Sequence, residues 1–237
     1  MANDYFQFKQ FRVQQNRCAM KVGTDGTLLG SWATGGTNIL DVGTGTGLLA
    51  LMMAQRFPDA QVTAIDIDAE AVEQARENVA ASPFAERIRV FQTDFRQFSP
   101  EKEGLVPTYD AIVCNPPYFS HSLECPDAQR TLARHAASLP YEDLMMKSAS
   151  LLTDDGELSF VIPFDCLSRL EEAAVLAGIF KSCEWAVKTT PKKAPRRYLL
   201  AFRKHSVKTL EQREMVLEDQ PGVRSVCYSE LTKDFYL

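Results

Sequence analysis

Apolar positions along the chain fall into short runs that alternate with amphipathic stretches. Asn38 to Val42 (NILDV) is an apolar run ending in glycines, and Leu48 to Arg56 follows with helical character up to Pro58. Gln61 to Ile65 repeats the strand signal. Asp68 then opens a helix through Asn78, with Glu70, Glu73, Arg76 and Glu77 as its solvent face. Arg87 to Gln92, Tyr109 to Cys114 and Glu157 to Ile162 read as further strands, and Tyr141 to Leu152 and Asp165 to Ala177 as helices. Phe180 to Thr189 and Arg197 to Arg203 supply two last strands across a Pro- and Lys-rich connection. The alternation predicts an α/β fold: a seven-stranded, mostly parallel sheet with helices on both faces and an antiparallel C-terminal strand. The expected organisation is a single domain, with an N-terminal lid and helix region (1–35), a core (36–205) and an extension packing on it (206–237).

With 237 residues, 45% hydrophobic and 24% charged, the chain can bury one substantial core. No run of 18 apolar residues occurs, and Met1 to Lys21 mixes Phe6, Phe8 and Phe11 with Gln and basic residues. That pattern predicts a cytoplasmic protein with no membrane span or secretory leader. Cys18, Cys114, Cys125, Cys166, Cys183 and Cys227 form no C-x-x-C pair and have only three histidines to join them, so no metal site is expected. Cys114, preceded by Ile112 and Val113, reads as an inert core-strand thiol.

The net charge of −5 taken alone argues against a nucleic-acid partner. Its distribution alters that picture: residues 1–23 carry +3, residues 24–180 carry −13 and residues 181–237 carry +5. Lys181 to Lys208 holds nine basic residues against Glu184 alone. Lys192, Lys193, Arg196 and Arg197 in this stretch are candidate nucleic-acid contacts, the alternative being a solvated basic face.

Asp41-Val-Gly43-Thr-Gly45-Thr-Gly47 lies between the first of these strands and its helix, where a backbone without Cβ atoms lets a ligand approach. A dinucleotide fingerprint needs a glycine where Leu48 stands, which disfavours NAD. The loop resembles that of the Rossmann-like class I methyltransferases, whose D-x-G-x-G-x-G segment holds the amino-acid part of S-adenosylmethionine. The resemblance implies Asp41, Gly43, Gly45 and Gly47 as cofactor-binding. Asp66, ending the next strand, is placed to accept hydrogen bonds from both ribose hydroxyls. Asp68 competes for this role but fits a helix N-cap better. Asp94-Phe95, after the third strand, matches the class pattern of an acidic contact to the adenine amino group beside an apolar residue on the ring.

Asn115-Pro116-Pro117-Tyr118 ends the fourth strand. Two prolines cannot continue a paired strand, and they turn the Asn115 side chain and the Pro116 carbonyl toward one cavity. An exocyclic amine on a purine is a weak nucleophile because its lone pair is delocalised. Donating its two N–H groups to Asn115 Oδ1 and Pro116 C=O would aim that lone pair at a methyl donor. Tyr118 offers a ring for a flipped-out base, and Phe119 adds to it. The segment resembles the N-P-P-Y motif of enzymes that methylate planar nitrogen: adenine N6 in DNA or RNA, guanine N2, or a glutamine amide.

Phe8-Lys-Gln-Phe11 and the stretch from Cys18 to Trp32 (CAMKVGTDGTLLGSW) resemble the bacterial tRNA1(Val) (adenine(37)-N6)-methyltransferase family, as do Arg197 to Phe202 and the closing Phe235-Tyr-Leu. The resemblance spans nearly the whole chain. It implies S-adenosylmethionine as cofactor, S-adenosylhomocysteine as product, the anticodon loop of a tRNA as partner, and neither membrane nor metal. Thr24 or Asp25 is expected to cap a helix toward Trp32, bringing Lys21, Thr24 and Asp25 over the cofactor cleft. The long stretch 119–138 carries Arg134 and His135, candidates for contact with RNA or, for His135, for packing. Three other readings stay open: a protein glutamine methyltransferase, a DNA adenine or rRNA guanine-N2 methyltransferase, and a non-catalytic cofactor-binding RNA subunit.

Overall fold

The computed structural model describes residues 4–18, 20–116 and 139–237. The chain opens with an antiparallel hairpin, β1 (Tyr5–Gln7) and β2 (Arg12–Gln14), followed by helix α1 (Thr24–Trp32). Then come β3 (Asn38–Val42), α2 (Leu48–Arg56), β4 (Gln61–Asp66), α3 (Ala69–Ala80), β5 (Ile88–Gln92) and β6 (Tyr109–Cys114). The second half contains α4 (Tyr141–Leu151), β7 (Leu152–Pro163), α5 (Leu167–Leu176), β8 (Phe180–Lys188), β9 (Arg197–Arg203), β10 (Glu211–Val216), the short pair β11 (Glu218–Gln220) and β12 (Val223–Arg224), and α6 (Val226–Thr232).

Eight strands form one sheet in the order β10-β8-β9-β7-β6-β3-β4-β5, and β9 alone runs against its neighbours. Seven of them are the strands read from the apolar pattern, and β10 adds an eighth beside β8. Successive residues of the central strands point to opposite faces, as a period of two requires. Ile39, Ala111 and Val113 join the core under α1 and α2, while Leu40, Ile112 and Cys114 join the core under α4 and α5. Both faces are covered, so β3, β4 and β6 read as continuous apolar runs.

The N-terminal hairpin contributes to the core. Phe8, Phe11 and Val13 are fully or almost fully buried in the first core, with Phe235 from the C-terminus beside them. Strand β7 starts five residues earlier than the Glu157 the pattern suggested. The added residues 153–156 form an irregularity between the Tyr109–Leu152 and Ala111–Glu157 pairs, and Gly156 packs so tightly there that a Cβ would meet Tyr109 O at 3.0 Å. Among the described residues no helix is long and apolar enough to cross a membrane.

Candidate active site

Chain order along the sheet reverses between β6 and β3, because β3 continues to β4 on one side while β6 lies on the other. Open α/β sheets bind ligands beyond the C-terminal strand ends at such a point. Here a cavity of about 620 Å³ opens, within the range of small-molecule and cofactor sites. It is walled by the loop after β3, the end of β4, the loop after β5, the end of β6 and the segment leading into α1.

Gly43 and Gly45 line the cavity with φ of +71° and +56°, and a Cβ on either would meet nothing within 4 Å. Both conditions favour glycine: a left-handed backbone, and space that a ligand can occupy against bare main chain. Gly47 lies behind them as the N-cap of α2 and does not line the cavity. Asp41 likewise stands behind the loop. It is fully buried, its Oδ2 accepting from Thr44 Oγ1 at 2.5 Å and from Ala50 N at 3.1 Å. These two hydrogen bonds tie the glycine loop to the first turn of α2.

Burial pushes the Asp41 carboxyl up to about 7, against the hydrogen bonds from Thr44 and Ala50 that favour its charged form. Asp41 Oδ1 has no partner among the described residues, which suits a proton there. A raised folded-state value means that the folded protein holds the proton more tightly than the unfolded chain. The resulting stabilisation is fully present below 3.8 and is lost as pH rises through about 7. Asp41→Asn removes this titration, so chemical denaturation of the variant should lose less stability between pH 4 and 8 than the wild type, by a few kcal/mol. Identical pH slopes would show that Asp41 stays ionised in the fold. Asp25 and Asp66 are raised in the same direction, also by burial, and remain in the variant.

Asp66 ends β4 in the cavity wall, its Oδ2 accepting from Gly45 N at 2.8 Å and its Oδ1 from Asp68 N at 3.0 Å. The carboxylate therefore ties the glycine loop to β4 while facing the space beside it. Asp68 caps α3 by accepting from Glu70 N at 2.9 Å, as its position suggested. Asp94 and Phe95 both line the cavity. Arg96 grips Asp94 through Nε and Nη2, at 3.0 and 2.5 Å from Asp94 Oδ2, and holds that carboxyl below its ordinary value. Phe95 is anchored in the second core.

Asn115 and Pro116 form the wall at the end of β6, beside buried Cys114, whose thiol burial keeps far above its ordinary value. Asn115 Nδ2 lies 3.8 Å from Met20 Sδ. Gly26 of α1 comes so near that a Cβ there would stand 2.9 Å from Leu48 Cδ2 and 3.9 Å from Asn115 Nδ2. Tyr118, Phe119, Arg134 and His135 lie outside the described residues.

The segment before α1 and the start of that helix do reach the cavity: Lys21, Thr24 and Asp25 all line it. The expected cap is corrected, however. Gly23 is the N-cap, with no side-chain hydrogen bond, and Thr24 and Asp25 begin the helix. Asp25 is instead drawn to Arg197 at the start of β9, 2.7 Å from its Nε. Arg197 consequently lines the cavity and is separated in role from its basic neighbours. Lys192, Lys193 and Arg196 are exposed in the connection between β8 and β9 and do not reach the cavity.

Two residues at or behind the site were not singled out by the sequence pattern, Asn78 and Cys18. Asn78 of α3 is buried, donating to Thr46 O at 2.8 Å and Gln14 O at 2.9 Å and accepting from Gln14 N at 2.8 Å. It fastens the glycine loop to the N-terminal hairpin. A polar residue on the apolar side of the helical period was the available clue. Cys18, also in the cavity wall, has its thiol pushed up to about 11 by burial and by Asp66 and Asp68, so it is neutral at pH 7. Among the described residues no cluster of His, Cys, Asp and Glu could hold a metal ion.

The sheet order, the glycine loop at its switch point and the asparagine at the end of β6 define a Rossmann-like class I methyltransferase. The family model of the methyltransferase small domain matches residues 27–192. In fold the chain is similar to a protein of Agrobacterium tumefaciens described as a predicted O-methyltransferase, with a TM-score of 0.64, 20% identity, and coverage of 89% of this chain and 96% of that one. It is 47% identical to the tRNA1(Val) (adenine(37)-N6)-methyltransferase of Bacteroides thetaiotaomicron and 48% identical to that of Phocaeicola vulgatus, over 100% of this chain and 99% of each relative. The chain belongs to the tRNA1(Val) (adenine(37)-N6)-methyltransferase family. Family and fold imply S-adenosylmethionine as methyl donor, and the open glycine cradle beside the Asp66 carboxylate fits it.

Proposed function

We propose that the protein transfers a methyl group from S-adenosylmethionine to the exocyclic N6 of adenine 37 in the anticodon loop of tRNA1(Val). The observation that carries this reading is the meeting of Asn115 and Pro116 with Gly43, Gly45 and Asp66 in one cavity. S-adenosylmethionine, when bound, supplies an electrophilic methyl group on a sulfonium and leaves as S-adenosylhomocysteine. Gly43 and Gly45 present main chain to its amino-acid part, Asp66 accepts from its ribose hydroxyls, and Asp94 and Phe95 take its adenine. Lys21, Thr24 and Asp25 cover the cleft from the start of α1 and the segment before it.

The target adenine enters on the Asn115 side. Its two N6 hydrogens donate to Asn115 Oδ1 and Pro116 C=O, which pulls the nitrogen out of conjugation and aims its lone pair into the cavity. Oriented acceptors act here as preorganised dipoles, stronger in a cleft with little water than in solution. After transfer the nitrogen carries one proton too many and loses it to solvent, so no histidine base is required. A loop base suits the site because it can be splayed out of its stack, whereas a base in a duplex cannot reach so recessed a wall.

A tRNA1(Val) transcript should accept one methyl group per molecule, and the same transcript with guanine at position 37 should accept none. Equal labelling of both would move the target to another nucleotide while leaving the chemistry intact.

A further inference from the structure

Phe164 directly follows β7 and leaves 58% of its surface exposed, more than any other described aromatic side chain. It is held in place all the same. Its N–H donates to Arg196 O at 3.1 Å, and its ring leans at 35° toward Tyr198 with centroids 6.2 Å apart. Tyr198 in turn packs against the core under α4 and α5.

Phe164 follows β7 at the end of the sheet where the cavity opens, without lining it. Pro163 is paired with Arg197, which lines the cavity, and Cys114 is paired with Phe160. Asn115 is one residue past Cys114, and Phe164 four past Phe160 on the adjacent strand. By strand geometry Pro163, the last residue of β7, therefore stands roughly 7 Å beyond the level of Asn115, and Phe164 opens the short 3-10 turn that follows it. Arg196 is exposed next to it, and Lys192 and Lys193 lie in the same connection; none of the three forms an ion pair with a described residue. Asp165 is the one exposed acid adjoining Phe164 in the chain.

We propose that Phe164 is a stacking platform for a base flanking the methylated adenine, with Arg196 and the Lys192–Lys193 turn taking the adjoining phosphates. The inference rests on the reading of an RNA adenine as substrate. An adenine drawn into the cavity leaves its neighbour with one uncovered face, and a fixed aromatic ring beside the mouth covers it. An exposed aromatic among unpaired cations is the composition that single-stranded nucleic acid selects, the ring taking any base and the cations the backbone.

The test uses the full chain as wild type, Phe164→Ala and Phe164→Tyr, with a stem-loop RNA carrying the target adenine and with the same RNA made abasic at each flanking position. Phe164→Ala should raise the Kd and KM for the intact RNA roughly 5- to 150-fold and leave cofactor affinity, which reports folding, unchanged. Phe164→Tyr should restore binding. On RNA abasic at the stacked position, Phe164→Ala should cost nothing further. Equal affinity of wild type and Phe164→Ala for intact RNA would overturn the proposal. So would the same loss on both abasic RNAs, which would make Phe164 a general contact. Wild-type protein that methylates no RNA adenine would overturn the substrate reading itself, before any variant is compared.

Discussion

Asn115→Ala should lower the rate of methyl transfer roughly 10²–10³-fold, the effect of removing one preorganised polar group from a transition state, while the cofactor Kd changes by less than about threefold. The split between the two quantities is the informative part. Asn115 sits at the end of β6, beside the cofactor loop but contributed by a different strand. Its side chain is half-buried, and the turn that carries it follows a strand whose packing rests on Ile112, Val113 and Cys114. Truncation leaves that packing intact, so the variant should fold and bind cofactor normally. Single-turnover transfer to tRNA, with cofactor binding by calorimetry on the same preparation, reads both. Loss of transfer and cofactor binding together would make Asn115 a structural residue.

Asp66→Ala should have the second largest effect, of the opposite kind: a rise in cofactor Kd of roughly 10²-fold or more, with transfer at saturating cofactor nearly retained. Two causes add. The carboxylate is the candidate acceptor for two ribose hydroxyls, and hydrogen bonds to a charged group contribute about 1.5–3 kcal/mol each. It also holds Gly45 N at 2.8 Å, so its removal loosens the loop on which the cofactor rests. Asp68→Ala is the matched control. That carboxylate caps α3 at the rim of the cavity, and its loss should reduce stability by about 1 kcal/mol while moving the cofactor Kd far less than Asp66→Ala does. An unchanged Kd in Asp66→Ala would move the ribose contact elsewhere.

Elements with a strong local pattern were legible in the sequence. The run Asn38–Val42, its glycine turn and the helix from Leu48 appear where apolar periodicity and turn chemistry put them, and Asp68 caps α3 because its side chain answers an adjacent N–H. The unread elements have weak local signals. Strands β1 and β2 have three residues each. β10 is an edge strand of EQREMV whose first four residues are exposed, so no alternation marks it.

The site divides along the same line. Gly43, Gly45, Asp66 and Asn115 belong to turns at strand ends, and their placement follows from the fold class. Asp25 and Arg197 are far apart in sequence, and nothing in either neighbourhood announces their ion pair. Read locally, Thr24 or Asp25 is a helix cap and Arg197 one of a basic cluster. The competition was decided by tertiary packing, which brings the first turn of α1 against the start of β9 at the cavity. Asn78 was unread for the same reason, since its partners Gln14 and Thr46 come from other elements.

The most direct test is transfer of labelled methyl from S-adenosylmethionine to total tRNA lacking this modification, with DNA and protein extract in parallel and Asn115→Ala as control. The account predicts label in tRNA alone, recovered as N6-methyladenosine from one valine tRNA and absent with the variant. Label confined to DNA or to protein would contradict the assigned substrate, and label on a nitrogen other than adenine N6 would contradict the role given to Asn115 and Pro116.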